Sequence, residues 1–468
     1  MKRFCLFLCC IMITCGCARL SPLCAAANNA AAAAAENTAG DDIYCGESFL
    51  SSGKRVSVFK TGVITELARL AFINWENGRA GVLEKDAPDR FWAAVSPLQA
   101  DVRQTAVAFG QDEDNATGYL IIQEGSGPEV RAVRKITFTQ KPVTFASGDA
   151  VLSGILKKPV GHGPFPAVVL VHGSGPGTRE QLESMARFFV HVGMAVLSYD
   201  KRGCGASSGD WKSVDLEVLA DDALAAVSIL ESEPDIDPGQ IGLWGISQGG
   251  WITPLAASRS AKVAFVINHS GPGTSLRRQD TYMMSNVLSD QGVPPTDIDL
   301  AIAALNLVYN YGRKKASAEE LDAAIDNLRG KPGLEEFTTL SSQELDPDSL
   351  YAQQIIGDPA WFIHLDPDRD ALEPYRQIRC PLLVVFGKLD YTVPVEESEQ
   401  KISAVLRESG HPDYLVKVLD RTGHGWIIMQ KEQPQQPVEP LEIASEYFAL
   451  LEEWLSRHGL CASGRWVE

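Results

Sequence analysis

Gly245-Ile246-Ser247-Gln248-Gly249-Gly250 is the stretch of the chain best equipped for covalent chemistry. A serine with a glycine two residues away on either side fits a sharp strand-to-helix turn, which lifts the hydroxyl clear of the backbone as a nucleophile. The apolar run 241–244 ahead of it and the helical stretch 249–258 behind it supply the strand and helix that such a turn requires. The N-terminus of that helix offers backbone N–H groups to a developing oxyanion, the Gln248 N–H first among them. Gly205-Ala206-Ser207-Ser208-Gly209 has the same spacing, but no strand runs into it and no helix leaves it. Context selects Ser247.

A serine at neutral pH needs a base, and histidine suits that role. The chain has eight. In chain order serine, acid, histidine, the base follows both partners. His424, in Thr422-Gly423-His424-Gly425-Trp426, lies on a glycine-flanked loop after the apolar run 414–418. His411 sits in a turn and His458 near the end of the last helix. Asp390, in Gly387-Lys388-Leu389-Asp390-Tyr391-Thr392-Val393-Pro394, follows the run 381–386 and is the carboxylate placed to hold the His424 tautomer. His172-Gly173-Ser174-Gly175-Pro176-Gly177 follows the run 167–171, and its Gly173 or Ser174 is the candidate second oxyanion donor. His172 is expected to shape that turn. Asp200-Lys201-Arg202-Gly203 reads as a structural ion-pair and turn cluster with no catalytic role.

These residues need a scaffold that brings successive strand ends to one edge. Continuous β-branched runs at 167–171, 195–199, 241–244, 263–267, 381–386 and 414–418 alternate with helical stretches at 180–192, 214–230, 249–258, 395–409 and 443–457. That rhythm predicts an α/β fold with a mostly parallel sheet covered on both faces, and sites beyond the carboxyl ends of its strands. The helical text at 272–375, including 298–311 and 318–328, is too long for a connection and predicts a cap. Before it, 41–142 reads as a small β-rich accessory domain with strands at 56–59, 71–75, 118–122 and 130–133 and one helix at 62–70. The larger domain is expected to span 143–468.

Together the HGSGP loop, Tyr199-Asp200-Lys201-Arg202-Gly203, the Ser247 turn, Cys380-Pro381, the Asp390-x-x-Val393-Pro394 step and Gly423-His424-Gly425 resemble the α/β-hydrolase superfamily, in its bacterial carboxylesterase branch. The resemblance covers about residues 143–457. It implies hydrolysis of an acyl bond on a Ser247–His424–Asp390 triad through an acyl-enzyme, with small acyl esters as substrates. Haloalkane dehalogenases and epoxide hydrolases resemble the same fold but carry Asp at the nucleophile position. Serine aminopeptidases and acyl-peptide hydrolases are the alternative, with Glu335, Glu336 and Asp358 of the cap as candidate amine ligands; thioesterases and a non-catalytic binding module follow. The cap residues Trp361-Phe362-Ile363 and Leu307-Val308-Tyr309 are candidates for an acyl pocket or for plain helix packing. With no H-E-x-x-H and no G-x-G-x-x-G after the first strand, no metal or organic cofactor is expected.

Acidic residues outnumber basic ones, 60 to 42 in 468, for a formal charge of -18, which disfavours nucleic acid and anionic lipid as partners. Lys2 and Arg3 ahead of the apolar run 4–14 form an export signal, too short to span a bilayer. Ile13-Thr14-Cys15-Gly16-Cys17 resembles a lipobox, with a lipid anchor on Cys17. An ordinary cut within Cys24-Ala25-Ala26-Ala27 is the alternative. Residues 1–40 are thus read as signal and Ala-rich tether, and the protein as periplasmic, anchored or secreted. Only Cys45, Cys204, Cys380 and Cys461 stay in the body, with neither zinc spacing nor an obligatory pairing.

Overall fold

The computed structural model describes residues 41–62, 69–95, 99, 101–112, 116–335, 341–342, 366–434 and 436–461. Eight antiparallel strands come first: β1 (Gly46–Phe49), β2 (Arg55–Thr61), β3 (Arg69–Asn74), β4 (Ala80–Ala87), β5 (Arg90–Ala94), β6 (Arg103–Gln111), β7 (Thr117–Glu124) and β8 (Val130–Lys135). They close into a barrel, because β1 pairs with β8 through Glu47 opposite Lys135 and Phe49 opposite Val133. Closure removes the exposed edges that a free β-sheet of this size would carry. The four anticipated strands are β2, β3, β7 and β8. Of the others, β1 and β4 are too polar to show the apolar run by which a strand is read, whereas β5 and β6 carry such runs at 91–94 and 106–109 and went unread. The helix expected at 62–70 falls largely outside the described residues.

β2 and β3 explain how the barrel is attached. Side chains alternate across a strand. Val56, Val58, Leu70 and Phe72 point into the barrel core, while Phe59, Ala71, Ile73 and Trp75 pack outward onto the larger domain, against Phe188 and Phe448 among others. A run apolar on both faces therefore marks a strand covered on both faces.

The division expected at 142/143 falls inside a strand. The barrel ends at Lys135, and β9 (Phe138–Ser147) pairs along its whole length with β10 (Ala150–Pro159) in the second sheet. That sheet continues with β11 (Phe165–Val171), α1 (Glu183–His191), β12 (Ala195–Tyr199), α2 (Leu216–Glu231), β13 (Ile236–Ile246), α3 (Gly249–Arg259) and β14 (Val266–His269). The cap follows, with α4 (Leu276–Asp290), α5 (Pro295–Gly312), α6 (Ala318–Asp326) and the short α7 (Glu373–Gln377). The chain then returns to the sheet through β15 (Leu382–Gly387), α8 (Val395–Glu408), β16 (Tyr414–Leu419) and α9 (Ser445–Arg457). The strand order is β16-β15-β14-β13-β11-β12-β10-β9, parallel from β12 to β16 and antiparallel at β9 and β10. Every residue of β12 and β15 is buried, as a sheet sandwiched between helices demands. The run at 263–267 enters the ladder later than expected and ends on the polar pair Asn268-His269, which hydropathy does not mark as strand.

Within the cap, Leu307 and Val308 pack against Leu321 and Ile325 of α6, and the Tyr309 hydroxyl bonds the buried Asp280 of α4. These positions serve helix packing, whereas Trp361-Phe362-Ile363 lies outside the described residues.

A buried ionic cluster ties barrel to sheet. Arg187 on α1 donates to Glu47 of β1 (2.6 Å) and to Glu183 (2.8 Å), Lys157 of β10 reaches Glu183 (2.8 Å), and Arg55 and Ser57 of β2 reach Glu47 (3.2 and 2.5 Å). Burial raises the Glu183 carboxyl, but Lys157 and Arg187 outweigh it and hold the group below its usual range. Removing Arg187 would take one charge-assisted hydrogen bond from each carboxylate and leave Glu183 with Lys157 and Glu47 with Arg55. Arg187→Met is expected to lose about 1.5–3 kcal/mol in denaturant unfolding; a loss under about 1 kcal/mol would show that the cluster does not support the domain junction.

Candidate active site

Ser247 is the first residue beyond β13 and has a left-handed backbone, φ 57°. A side chain pays a steric penalty there, so the surroundings must impose it. The Ser247 N–H donates to the His269 carbonyl at the end of β14 (2.9 Å), and its carbonyl accepts from Gly250 N (2.8 Å). The glycines are needed because the chain passes so close to itself. A Cβ on Gly245 would strike the Gly249 carbonyl, one on Gly249 the Val171 and His172 carbonyls, and one on Gly250 the Asn268 side chain and Gly271. The competing serine is engaged elsewhere. Ser207 Oγ donates to the Asp200 carbonyl (2.7 Å) and accepts from Ser153 N (2.9 Å), pinning a turn to β10.

Asp390 and His424 meet directly. His424 Nδ1 lies 2.7 Å from Asp390 Oδ2, and Asp390 Oδ1 accepts from Thr392 N (2.8 Å) and Val393 N (3.0 Å). The turn thus orients a carboxylate that is almost fully buried. Leu389 N donates to the Thr422 carbonyl (2.9 Å), so the acid and histidine loops are joined through their backbones as well. Burial lowers the His424 pKa, yet the charge and hydrogen bond of Asp390 more than offset it, and the net shift is upward.

The loop bearing His424 is braced from behind. Trp426 stacks on Tyr447 of α9 (6.3 Å, 16°), and Tyr447 accepts from Trp244 Nε1 (3.0 Å). His269 packs against Trp426 and Tyr447 (5.8 and 4.6 Å) and is held neutral, its pKa pushed down to about 3 by burial first and by nearby His424 second. Further along, Ala444 N bonds the Trp426 carbonyl (2.8 Å) and Ile428 N the Glu442 carbonyl (2.9 Å). The barrel clasps that returning segment. Ile443 N donates to the Gly78 carbonyl (2.8 Å), Leu441 N to Val95 (2.9 Å), and Arg79 Nη1 to Pro440 (3.1 Å).

The loop after β11 lies against the serine: a Cβ on Gly173 would sit 3.4 Å from Ser247 Cβ and 4.0 Å from its Oγ. Among the described residues, no protein group accepts the Ser174 or Gln248 N–H. His172 shapes the loop as expected, its Nε2 lying 2.6 Å from the Tyr199 carbonyl, while burial pushes its pKa down to about 4. His411 and His458 lie at the opposite end of β16, bonded to Asp413. Among the described residues no group of His, Cys, Asp or Glu side chains could hold a metal ion.

The flanking charges of the 200–202 cluster are structural, Asp200 pairing with Arg179 and Arg202 with Asp222. Lys201 between them is different. Its Nζ reaches Gly173 O (2.9 Å), Gly175 O (3.0 Å) and Gln248 Oε1 (2.8 Å), touching both sides of the serine turn. Sequence reasoning misses it because one charged tripeptide at a strand end gives no sign that its middle residue turns elsewhere.

Residues 168–440, more than half of the chain, match the family model of the alpha/beta hydrolases. The chain belongs to the alpha/beta hydrolase family. This hydrolase is 28% identical over 309 residues to the esterase EstD of Thermotoga maritima, covering 64% of each chain. It is 29% identical over 172 residues to the quorum-quenching protein AidA of Acinetobacter baumannii, covering 34% of its own length and 57% of AidA. It therefore spans just under two thirds of the first relative and less of the second. Among solved structures, the Pyrococcus furiosus esterase Pf2001 is 16% identical, with 68% of the hydrolase and 93% of that chain covered and a TM-score of 0.41.

If His424 acts as base, the acid limb of kcat/KM reports its deprotonation. Since Asp390 raises that pKa, the limb should lie above pH 6.5. Asp390→Asn removes the charge, so the limb should move to lower pH while kcat falls about 10⁴-fold; a pH–rate profile of the two proteins checks both.

Proposed function

We propose that this hydrolase is an exported serine esterase, cleaving carboxylic esters through an acyl-enzyme on Ser247, His424 and Asp390. The reading rests on one observation above others: a histidine bonded at 2.7 Å to a buried, turn-held aspartate, on the loops of neighbouring strands at the sheet edge where a strained serine emerges. Ser247 Oγ attacks the ester carbonyl as His424 Nε2 takes its proton. The carbonyl electron pair moves to oxygen, where the Gln248 N–H and an N–H of the Gly173-Ser174 stretch receive it. Collapse expels the alcohol, protonated by His424, and water releases the acid by the same steps in reverse order of partners. Asp390 keeps Nδ1–H directed to itself and stabilises the imidazolium.

An ester is favoured over a peptide bond by the esterase relative at 28% identity. Glu335 folds back on Gly333 N (3.0 and 3.2 Å), and Glu336 and Asp358 lie outside the described residues. Export rests on the basic and apolar start of the chain, with either a lipid on Cys17 or cleavage within residues 24–27.

p-Nitrophenyl esters of increasing acyl length, set beside aminoacyl- and prolyl-p-nitroanilides, test the reading. Ester turnover that drops by at least about 10³-fold in Ser247→Ala, with anilides untouched, is expected. Dominant anilide turnover would move the protein to the peptidases, and ester turnover surviving Ser247→Ala would overturn the assignment. Mass spectrometry of protein recovered from its cells should give a mature N-terminus at Cys17 or within 24–27; an intact Met1 would remove export from the proposal.

A further inference from the structure

Lys201 is a buried ammonium with all three of its donors spent on one region. Its Nζ bonds the carbonyls of Gly173 and Gly175 and the side chain of Gln248, at 2.8 to 3.0 Å. Its backbone N–H bonds the Gly177 carbonyl (2.9 Å). Every second carbonyl of the loop after β11 is thereby tied to a single residue at the end of β12. The Lys201 side chain also lies over the Trp211 ring, 4.9 Å from its centre, which closes it off on another side. Burial pushes its pKa down to about 7, so the fold holds it at a cost and against water's competition.

The direction of these bonds matters more than their number. A peptide unit is planar and trans, so its C=O and the following N–H point in opposite directions. With the Gly173 carbonyl turned onto Lys201, the Ser174 N–H of the same peptide must face away from Lys201. Gly173 itself abuts Ser247, and among the described residues the Ser174 N–H has no acceptor. Gln248 shows the complementary feature. It stands at the N-cap of α3, where its side chain makes no capping bond, because Oε1 is held by Lys201, and its own N–H likewise has no acceptor among the described residues.

We infer that Lys201 is the positioning residue of the oxyanion hole, holding the Gly173-Ser174 peptide and Gln248 so that the Ser174 and Gln248 N–H groups converge on the developing oxyanion. This rests on the esterase reading above. It also separates the two candidates for second donor, assigning the role to Ser174. Lysine suits the post because a compact ammonium presents three donors in three directions, where the flat arginine fork does not. Lys201 touches no substrate atom.

The test uses the whole protein, p-nitrophenyl butyrate and a short alkyl trifluoromethyl ketone. Ser247 Oγ adds to the ketone carbon, His424 takes the proton, and the carbonyl oxygen becomes an oxyanion like that of the transition state. Lys201→Met keeps length and volume but removes the donors. The expected result is a kcat lower by about 10²-fold, the loss typical of a missing oxyanion donor, with KM changed less than about threefold and ketone affinity reduced in parallel with kcat/KM. Lys201→Gln, which retains two donors, should recover part of the loss. A folded Lys201→Met protein with kcat within threefold of the parent would overturn the inference, as would a loss confined to KM or a fall in kcat with ketone affinity unchanged. If Lys201→Met does not fold, Gln248→Met decides: it leaves Lys201 in place but releases the second peptide, and unchanged kcat and ketone affinity would again overturn the proposal. Absence of ester turnover in the parent protein would instead overturn the esterase reading, and the inference with it.

Discussion

The left-handed backbone of Ser247 is the constraint around which this protein is organised. A non-glycine residue at φ 57° costs of order 1–3 kcal/mol and persists only where its neighbours leave no alternative. Here the neighbours are backbone atoms of the three central strands. β14 receives the serine N–H through His269, β11 presses its terminal carbonyls against Gly249, and the turn after β14 presses Gly271 against Gly250. Nothing larger than hydrogen fits at those contacts. The position of the hydroxyl is therefore a property of the sheet, not of the loop that carries it.

The acid, the histidine and the loop after β11 are each secured in a different way. The acid is held by the amides of its own turn, and the histidine by the acid in front and an aromatic stack behind. The loop after β11 is held by a lysine from the neighbouring strand. Three consecutive charged residues at the end of β12 thus divide their work. Asp200 anchors Arg179, Arg202 anchors Asp222, and Lys201 turns toward the serine. Buried charges of this kind are tolerable only when every donor finds an acceptor, and the Lys201 ammonium meets that condition.

The barrel belongs to the same scheme. Its outer face shares a core with α1 and α9, its Glu47 and Arg55 join an ionic cluster with Arg187, and its β3–β4 turn pairs with the segment that returns from His424. The region that offered no chemistry of its own is physically continuous with the support of the loop that carries His424. That continuity arises from contacts between residues more than 300 positions apart, such as Arg79 and Pro440.

Sequence alone carried the alternation of buried strands and helices, the strand-to-helix turn at Ser247 that Ser207 lacks, and the placement of Ser247, Asp390 and His424 on the loops after β13, β15 and β16. These were legible because each depends on local rules: a parallel strand buried on both faces reads as an unbroken apolar run, and a tight turn demands glycine. Closure of the barrel was not legible, since β1 and β4 are too polar to stand out and pairing of β1 with β8 is a long-range choice. The extent of β9, the polar end of β14 and the part played by Lys201 escaped for the same reason. A charged side chain at a strand end looks alike whether it meets a carboxylate or the carbonyls of a distant loop, and only the tertiary structure, by bringing Gly173, Gly175 and Gln248 within 3.0 Å of one ammonium, decides which.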